Sequence, residues 1–118
     1  MTIVSTVLAG LLAAEFLFFG AAKLLALAPM RERAEHLGFT TTAYRGIGAL
    51  EIAAAGGVLL GFVLPWTGIA AGTGLTLLMA GAVVTHLRNG DGVPEIAPAA
   101  ATALVAVGYV VTLAGVSP

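Results

Sequence analysis

Residues 44–64, YRGIGALEIAAAGGVLLGFVL, decide the fold of this chain. The segment is long and apolar enough to cross a bilayer, yet it carries Arg45 near its start and Glu51 two turns further in. A carboxylate at that depth costs about 2.5–3.5 kcal/mol on insertion scales unless a partner compensates its charge. We therefore expect another helix to supply a cationic partner for Glu51.

The composition is that of a membrane protein. The 118 residues are 59% hydrophobic and 9% charged, with a mean hydropathy of +1.05, whereas soluble domains carry about 25% charged residues. The length indicates a single domain spanning residues 1–118. A net charge of −1 gives no indication of nucleic-acid binding, and the lack of cysteine excludes a thiol relay within the chain. Two histidines make a dedicated metal site an unfavoured interpretation.

Hydrophobic periodicity predicts an all-α integral membrane four-helix bundle. The predicted spans are residues 2–28, 44–64, 66–87 and 97–116, and each reaches the length of about 20 residues that a bilayer requires. Pro29 is expected to end or kink the first span. Residues 30–37, MRERAEHL, are amphipathic and are expected to form a short helix on the membrane surface between the first two spans.

The basic residues predict an orientation in the cell (inner) membrane. The second connection and both termini carry no lysine or arginine. All five basic residues lie in or beside the first and third connections: Lys23, Arg31, Arg33, Arg45 and Arg88. By the positive-inside rule, these two connections face the cytoplasm and the N- and C-termini lie outside it.

Ionisable side chains inside the spans form a candidate site. The candidates for ligand binding or proton relay are Glu15, Lys23, Arg45, Glu51 and His86. Lys23 and Glu51 both lie roughly 8–10 Å inside the same interface, and consecutive helices usually pack antiparallel, which predicts a Lys23–Glu51 ion pair. Glu15 lies deeper, with Lys23, Tyr109 or a threonine as candidate partners.

Two interpretations of these charged residues stay open. In one, they form a structural network that fixes helix packing. In the other, they line a polar pocket, since ionisable groups inside a membrane are functional candidates by default. No catalytic residue is assigned, because the sequence spacing does not place Glu15 and Glu51 at a catalytic separation.

Small residues at four-residue spacing form two further faces. One carries Ala53, Gly57 and Gly61, and the other Gly68 and Gly72. Such faces let helix backbones approach closely. Besides membrane lipids, we therefore expect a second copy of the chain or another membrane protein as a partner at these faces.

Four ordered motifs resemble those of the DoxX-like family of small four-span bacterial membrane proteins. They are Phe16-x-x-x-Gly20-x-x-Lys23-Leu24, Leu37-Gly38-Phe39, Tyr44-Arg45-x-x-Gly48-x-Leu50-Glu51 and Gly81-Ala82-x-x-Thr85-His86-Leu87. The resemblance covers nearly the whole chain and implies a four-helix membrane bundle. Lys23, Arg45, Glu51 and His86 match motif positions. Glu15 is added because of its depth in the first span.

The resemblance also implies a function. Members and relatives of the family are linked to membrane oxidoreductase complexes, including quinone-reducing ones. The resulting expectation is a non-cysteine subunit, or a component that binds a quinone-like molecule, in membrane redox chemistry. The alternative, implied by the wider superfamily, is a non-enzymatic membrane chaperone, assembly factor or carrier of lipids or other amphiphiles.

Overall fold

The computed structural model describes residues 2–116 and contains five helices in this range. They are α1 (Ile3–Leu24), α2 (Ala28–Leu37), α3 (Thr41–Leu60), α4 (Pro65–Arg88) and α5 (Val93–Val116). All but α2 are long and apolar enough to cross a membrane. The predicted all-α four-span bundle, with a short helix between its first two spans, is confirmed.

Prolines begin helices in this fold. Pro29 lies in the first turn of α2, where its missing N–H is not needed. The prediction that Pro29 ends the first span is therefore wrong: α1 ends at Leu24, and the chain turns through Ala26, whose φ is 51°. Pro65 likewise stands at the start of α4, one residue before the predicted boundary at 66.

Side-chain caps start α3 and α5 earlier than predicted. The Thr40 hydroxyl accepts a hydrogen bond from the Ala43 N–H at 3.0 Å, so α3 begins before residue 44, and it ends before residue 64. The Glu95 carboxylate accepts from the Gly92 N–H at 3.0 Å, as in one arm of a capping box, so α5 begins before residue 97. Both caps lie before the apolar stretches from which the boundaries were predicted, so the apolar pattern did not reveal them.

Two glycines bring α1 and α3 into backbone contact. A Cβ atom added at Gly48 would lie 2.6 Å from the carbonyl oxygen of Gly20 and 2.7 Å from the Cβ of Lys23. A Cβ at Gly20 would lie 2.9 Å from the Gly48 carbonyl oxygen. Only a residue without a side chain fits on either side of this crossing.

A buried tyrosine joins α3, α4 and α5 near the α3–α4 connection. Tyr109 is fully buried, and its hydroxyl donates a hydrogen bond to the carbonyl oxygen of Val58 at 3.2 Å. Gly61 and Gly68 face this hydroxyl from α3 and α4, and a Cβ at either position would collide with it. The glycines therefore make the space that the tyrosine fills.

The glycines of the predicted small-residue faces consequently pack against other helices of the same chain. Gly57 packs against Ala71 of α4, and Gly72 packs against Val110 of α5. Together with Gly61 and Gly68, these glycines are contacts within the bundle, so the expectation that they are free for a partner is wrong. Of the two faces, only Ala53 is exposed.

The four spans form two pairs, α1 with α3 and α4 with α5, and the two pairs meet at one end. We call the end that carries α2 and the α4–α5 connection the basic end. The main apolar core joins the pairs towards the opposite end and includes Leu12, Val58, Leu75 and Tyr109. At the basic end, a smaller apolar cluster, Ala22, Met30, Ala34 and Tyr44, packs α2 onto α1 and α3.

We expect Gly48→Ala to destabilise the bundle by about 1–3 kcal/mol, because the new methyl group overlaps the α1 backbone. The matched control is Gly46→Ala in the same helix, where a Cβ meets nothing within 4 Å. That change should be neutral or stabilise α3 by up to about 1 kcal/mol. Unfolding of purified protein in mixed detergents measures both, and equal stability of the two variants would contradict the crossing.

Candidate functional site

Lys23 and Glu51 form an ion pair inside the bundle. The Lys23 Nζ donates to the Glu51 Oε1 at 2.6 Å, and the side chains are 12% and 1% exposed. The Lys23 Nζ also lies 5.2 Å from the centroid of the Tyr44 ring, within the range of a cation–π contact. The predicted pair is thus present, and the α1–α3 crossing at Gly20 and Gly48 accounts for the short distance between its helices.

Glu15 has a different environment. The Thr102 hydroxyl donates to the Glu15 Oε1 at 2.8 Å, which links α1 to α5. A threonine is therefore the partner, as one of the sequence alternatives proposed, whereas Tyr109 bonds to α3 instead. Among the residues that the structure describes, no cation lies within ion-pair distance of Glu15.

A cavity of about 780 Å³ opens at the basic end between the two helix pairs. Its volume is within the range of roughly 300–1,000 Å³ that is typical of small-molecule sites. The lining residues are Glu15, Phe16, Phe19, Lys23, Arg33, His36, Leu37, Phe39, Tyr44, Ile47, Glu51, Leu77, Leu78, Met79, Gly81, Ala82, Thr85, His86, Pro94, Glu95, Pro98, Ala99 and Thr102. All five helices contribute, and α2 lies across the basic end of the space.

The cavity wall is mostly apolar and aromatic on the α1–α3 side. Phe39 and Tyr44 have ring centroids 6.1 Å apart. The Arg33 guanidinium carbon lies 5.6 Å from the centroid of Phe19, so a cation from α2 covers an aromatic ring of α1. The cavity surface is thus mostly apolar, with polar side chains contributed by every helix, as in sites that hold amphiphilic molecules.

An aspartate fastens α2 to the α4–α5 connection. The Asp91 carboxylate accepts from the His36 Nε2 at 2.8 Å on one oxygen and from the His86 Nδ1 at 2.7 Å on the other. The Asn89 side chain donates to the same carboxylate at 3.2 Å. We call Asp91, His36, His86 and Asn89 the clasp.

The clasp lowers the pKa of Asp91. The hydrogen bond from His86 is the largest cause, partial desolvation opposes it, and the hydrogen bonds from His36 and Asn89 lower the pKa further. His86 was a sequence candidate, whereas His36 and Asp91 were missed. The available signal was an aspartate between two glycines in a turn beside a surface helix that ends in a histidine.

Arg45 lies outside the cavity. Its side chain is exposed, and its Nε donates to the carbonyl oxygen of Leu24 at 2.9 Å. The carbonyl belongs to the last turn of α1, where such groups lack partners within the helix and favour a positive charge. Arg45 therefore caps α1 and does not line the cavity with the other candidates. The structure brings Glu15, Lys23, Glu51 and His86 to one cavity.

The fold and the site define a multi-pass membrane helical bundle with ionisable side chains around a cavity that opens at one end. The chain belongs to the DoxX-like family, whose family model matches residues 7–109. The resemblance seen in the motifs is thereby confirmed, and the matched range contains every residue that lines the cavity. The chain matches no curated protein and no solved structure at a significant level.

We expect Lys23→Met and Glu51→Gln each to destabilise the bundle, Lys23→Met by about 3–5 kcal/mol, because removing one partner leaves an uncompensated buried group. The double variant should cost clearly less than the sum of the two single changes. A double-mutant cycle in a detergent unfolding assay measures this coupling. The control cycle pairs Arg45→Met with Glu51→Gln and should be additive; additivity in the Lys23–Glu51 cycle would argue against the pair.

We expect the clasp to weaken in acid. Because the folded-state pKa of Asp91 is lowered, its stabilising contribution is complete above the usual aspartate value of about 3.9 and is lost as the pH falls through the lowered value. Amide hydrogen exchange of α2, corrected for intrinsic rates, should therefore increase over that window.

The variant Asp91→Asn should show raised exchange in α2 already at neutral pH and a weaker acid dependence. Glu32→Gln, which changes an exposed carboxylate on α2 itself, is the matched control and should behave as the wild type. Exchange in α2 that is identical in Asp91→Asn and wild type would show that the clasp does not hold this helix.

Proposed function

We propose that this DoxX-like protein binds a small amphiphile, a quinone or a molecule of similar shape, as a component of membrane redox chemistry. The observation that carries the proposal is the cavity of about 780 Å³, which is mostly apolar and carries the Glu15 carboxylate and the Lys23–Glu51 pair. A ring could pack against the aromatic wall while its polar substituents meet these groups. The link to redox chemistry comes from the family resemblance.

The positions of the side chains assign different roles to the candidates. Glu15 lies about 12 Å along α1 from Lys23, on the side away from the basic end. Glu15 is therefore the polar group beside a head group that is fully inserted into the cavity. It is suited to accept a proton or a hydrogen bond from that head group. His86, near the basic end, is suited to pass a proton towards water. Arg45 takes no part, since it caps α1.

We also propose that the basic end faces the cytoplasm. Arg31, Arg33 and Arg88 all lie at this end of the bundle, in α2 or at the end of α4, whereas the described part of the opposite end carries no lysine or arginine. The positive-inside rule then puts both termini outside the cytoplasm, in an inner-membrane protein.

The alternative function is a non-enzymatic chaperone, assembly factor or amphiphile carrier. The observation that favours it is a different small-residue face from the one expected. Gly46, Ala49, Ala53 and Gly56 follow one another at helical spacing on α3, and all four are exposed. A second copy of the chain or another membrane protein could approach the α3 backbone closely there.

Binding of a decyl-substituted benzoquinone to the purified protein in nanodiscs tests the proposed function. We expect saturable binding that weakens about tenfold or more in Ala82→Phe, which fills the cavity from α4. Ala80→Phe adds the same ring to the exposed side of α4 and should leave binding unchanged. Absence of saturable binding, or equal binding by the two variants, would overturn the proposal.

A further inference from the structure

We infer that the cavity selects an amphiphile whose head group donates hydrogen bonds, and that Glu15 is the acceptor. For quinone-like molecules, this means the hydroquinone form, with its two hydroxyl groups, in preference to the oxidised form. The inference rests on the proposed function and names the chemistry of the ligand that the same cavity takes. It follows from how the polar groups around the cavity are already engaged.

The positive charge of Lys23 is largely compensated within the protein. The Lys23 ammonium is 2.6 Å from the Glu51 carboxylate, and its residual exposure is only 12%. Tyr44 covers it further, with 5.2 Å between the ammonium and the ring centroid. A ligand carbonyl could use only the two ammonium hydrogens that Glu51 does not take, and the low exposure and the Tyr44 ring largely cover these.

The Glu15 side chain can accept further hydrogen bonds. A carboxylate has about four lone-pair sites, and the only hydrogen bond to Glu15 from the described residues comes from Thr102. Glu15 is half-buried and lines the cavity, so the remaining sites face space that a ligand can occupy. The contact with Thr102 also fixes the side chain, because it ties α1 to α5 at this depth.

Thr102 adds to the selectivity. It is 8% exposed, and its hydroxyl hydrogen is used in the bond to Glu15 at 2.8 Å. The Glu15–Thr102 contact therefore presents oxygen acceptors to the cavity and has no free hydroxyl hydrogen for a ligand carbonyl. A hydroquinone hydroxyl satisfies this arrangement, whereas a carbonyl or ether oxygen would face a carboxylate oxygen.

The test compares three probes in nanodiscs under argon: decyl-substituted benzohydroquinone, its dimethyl ether and the corresponding benzoquinone. The dimethyl ether cannot donate a hydrogen bond and cannot be interconverted with the quinone under these conditions. We expect the wild type to bind the hydroquinone about tenfold more tightly than either other probe, the effect of one additional hydrogen bond.

The variant Glu15→Gln replaces the carboxylate with an amide that both donates and accepts. It should reduce the preference for the hydroquinone to a few-fold and raise the affinity for the benzoquinone. Glu32→Gln removes an exposed carboxylate outside the cavity and is the matched control, which should keep the wild-type preference. Thermal unfolding and helix content verify that both variants fold.

The outcomes separate this inference from the proposed function. If the wild type binds all three probes equally and Ala82→Phe weakens all of them, the proposed function stands and the role of Glu15 is overturned. If no probe binds saturably, both fail. Equal affinity of the wild type for the hydroquinone and the dimethyl ether overturns the inference even where Glu15→Gln does not fold.

Discussion

The contact between the α1 and α3 backbones at Gly20 and Gly48 sets the position of the buried charges. Because neither residue has a side chain, the helix axes approach closely, and Lys23 reaches Glu51 within 2.6 Å. Two charges that would each be costly in the hydrocarbon region compensate each other there. The glycines therefore determine the electrostatics of the bundle as much as its packing.

The cavity follows from the uneven distribution of close contacts along the bundle. Tyr109 and the glycines around it bind α3, α4 and α5 together towards the end opposite α2. At the basic end, close packing is confined to α1, α3 and the α2 helix above them. The α4–α5 pair is held there by the clasp and by the contact between Glu15 and Thr102, and the space between the pairs stays open.

The sequence was sufficient for features that depend on length, depth and chain order. Four apolar stretches predicted the spans, and the antiparallel packing of consecutive helices predicted the Lys23–Glu51 pair, although Lys23 lies in the last turn of α1 and Glu51 near the middle of α3. It was insufficient where the neighbour of a face had to be known. Glycines at four-residue spacing give the same sequence pattern whether they pack against Tyr109 or against a partner protein. Arg45 follows the inward-facing Tyr44 directly in the chain, but its side chain points away from the cavity. The clasp joins His36 to Asp91, 55 residues further along the chain, and no local pattern connects these two.

The two carboxylates inside the bundle illustrate how structural and functional charges can be separated. Glu51 is 1% exposed and has a lysine at hydrogen-bond distance, so its charge is used to hold two helices together. Glu15 has only a hydroxyl partner among the described residues and borders the cavity. A purely structural role would favour a neutral residue at that position, because the carboxylate gains little from one neutral donor. The cost of keeping an acid there is what the proposed ligand would offset by completing its hydrogen bonds.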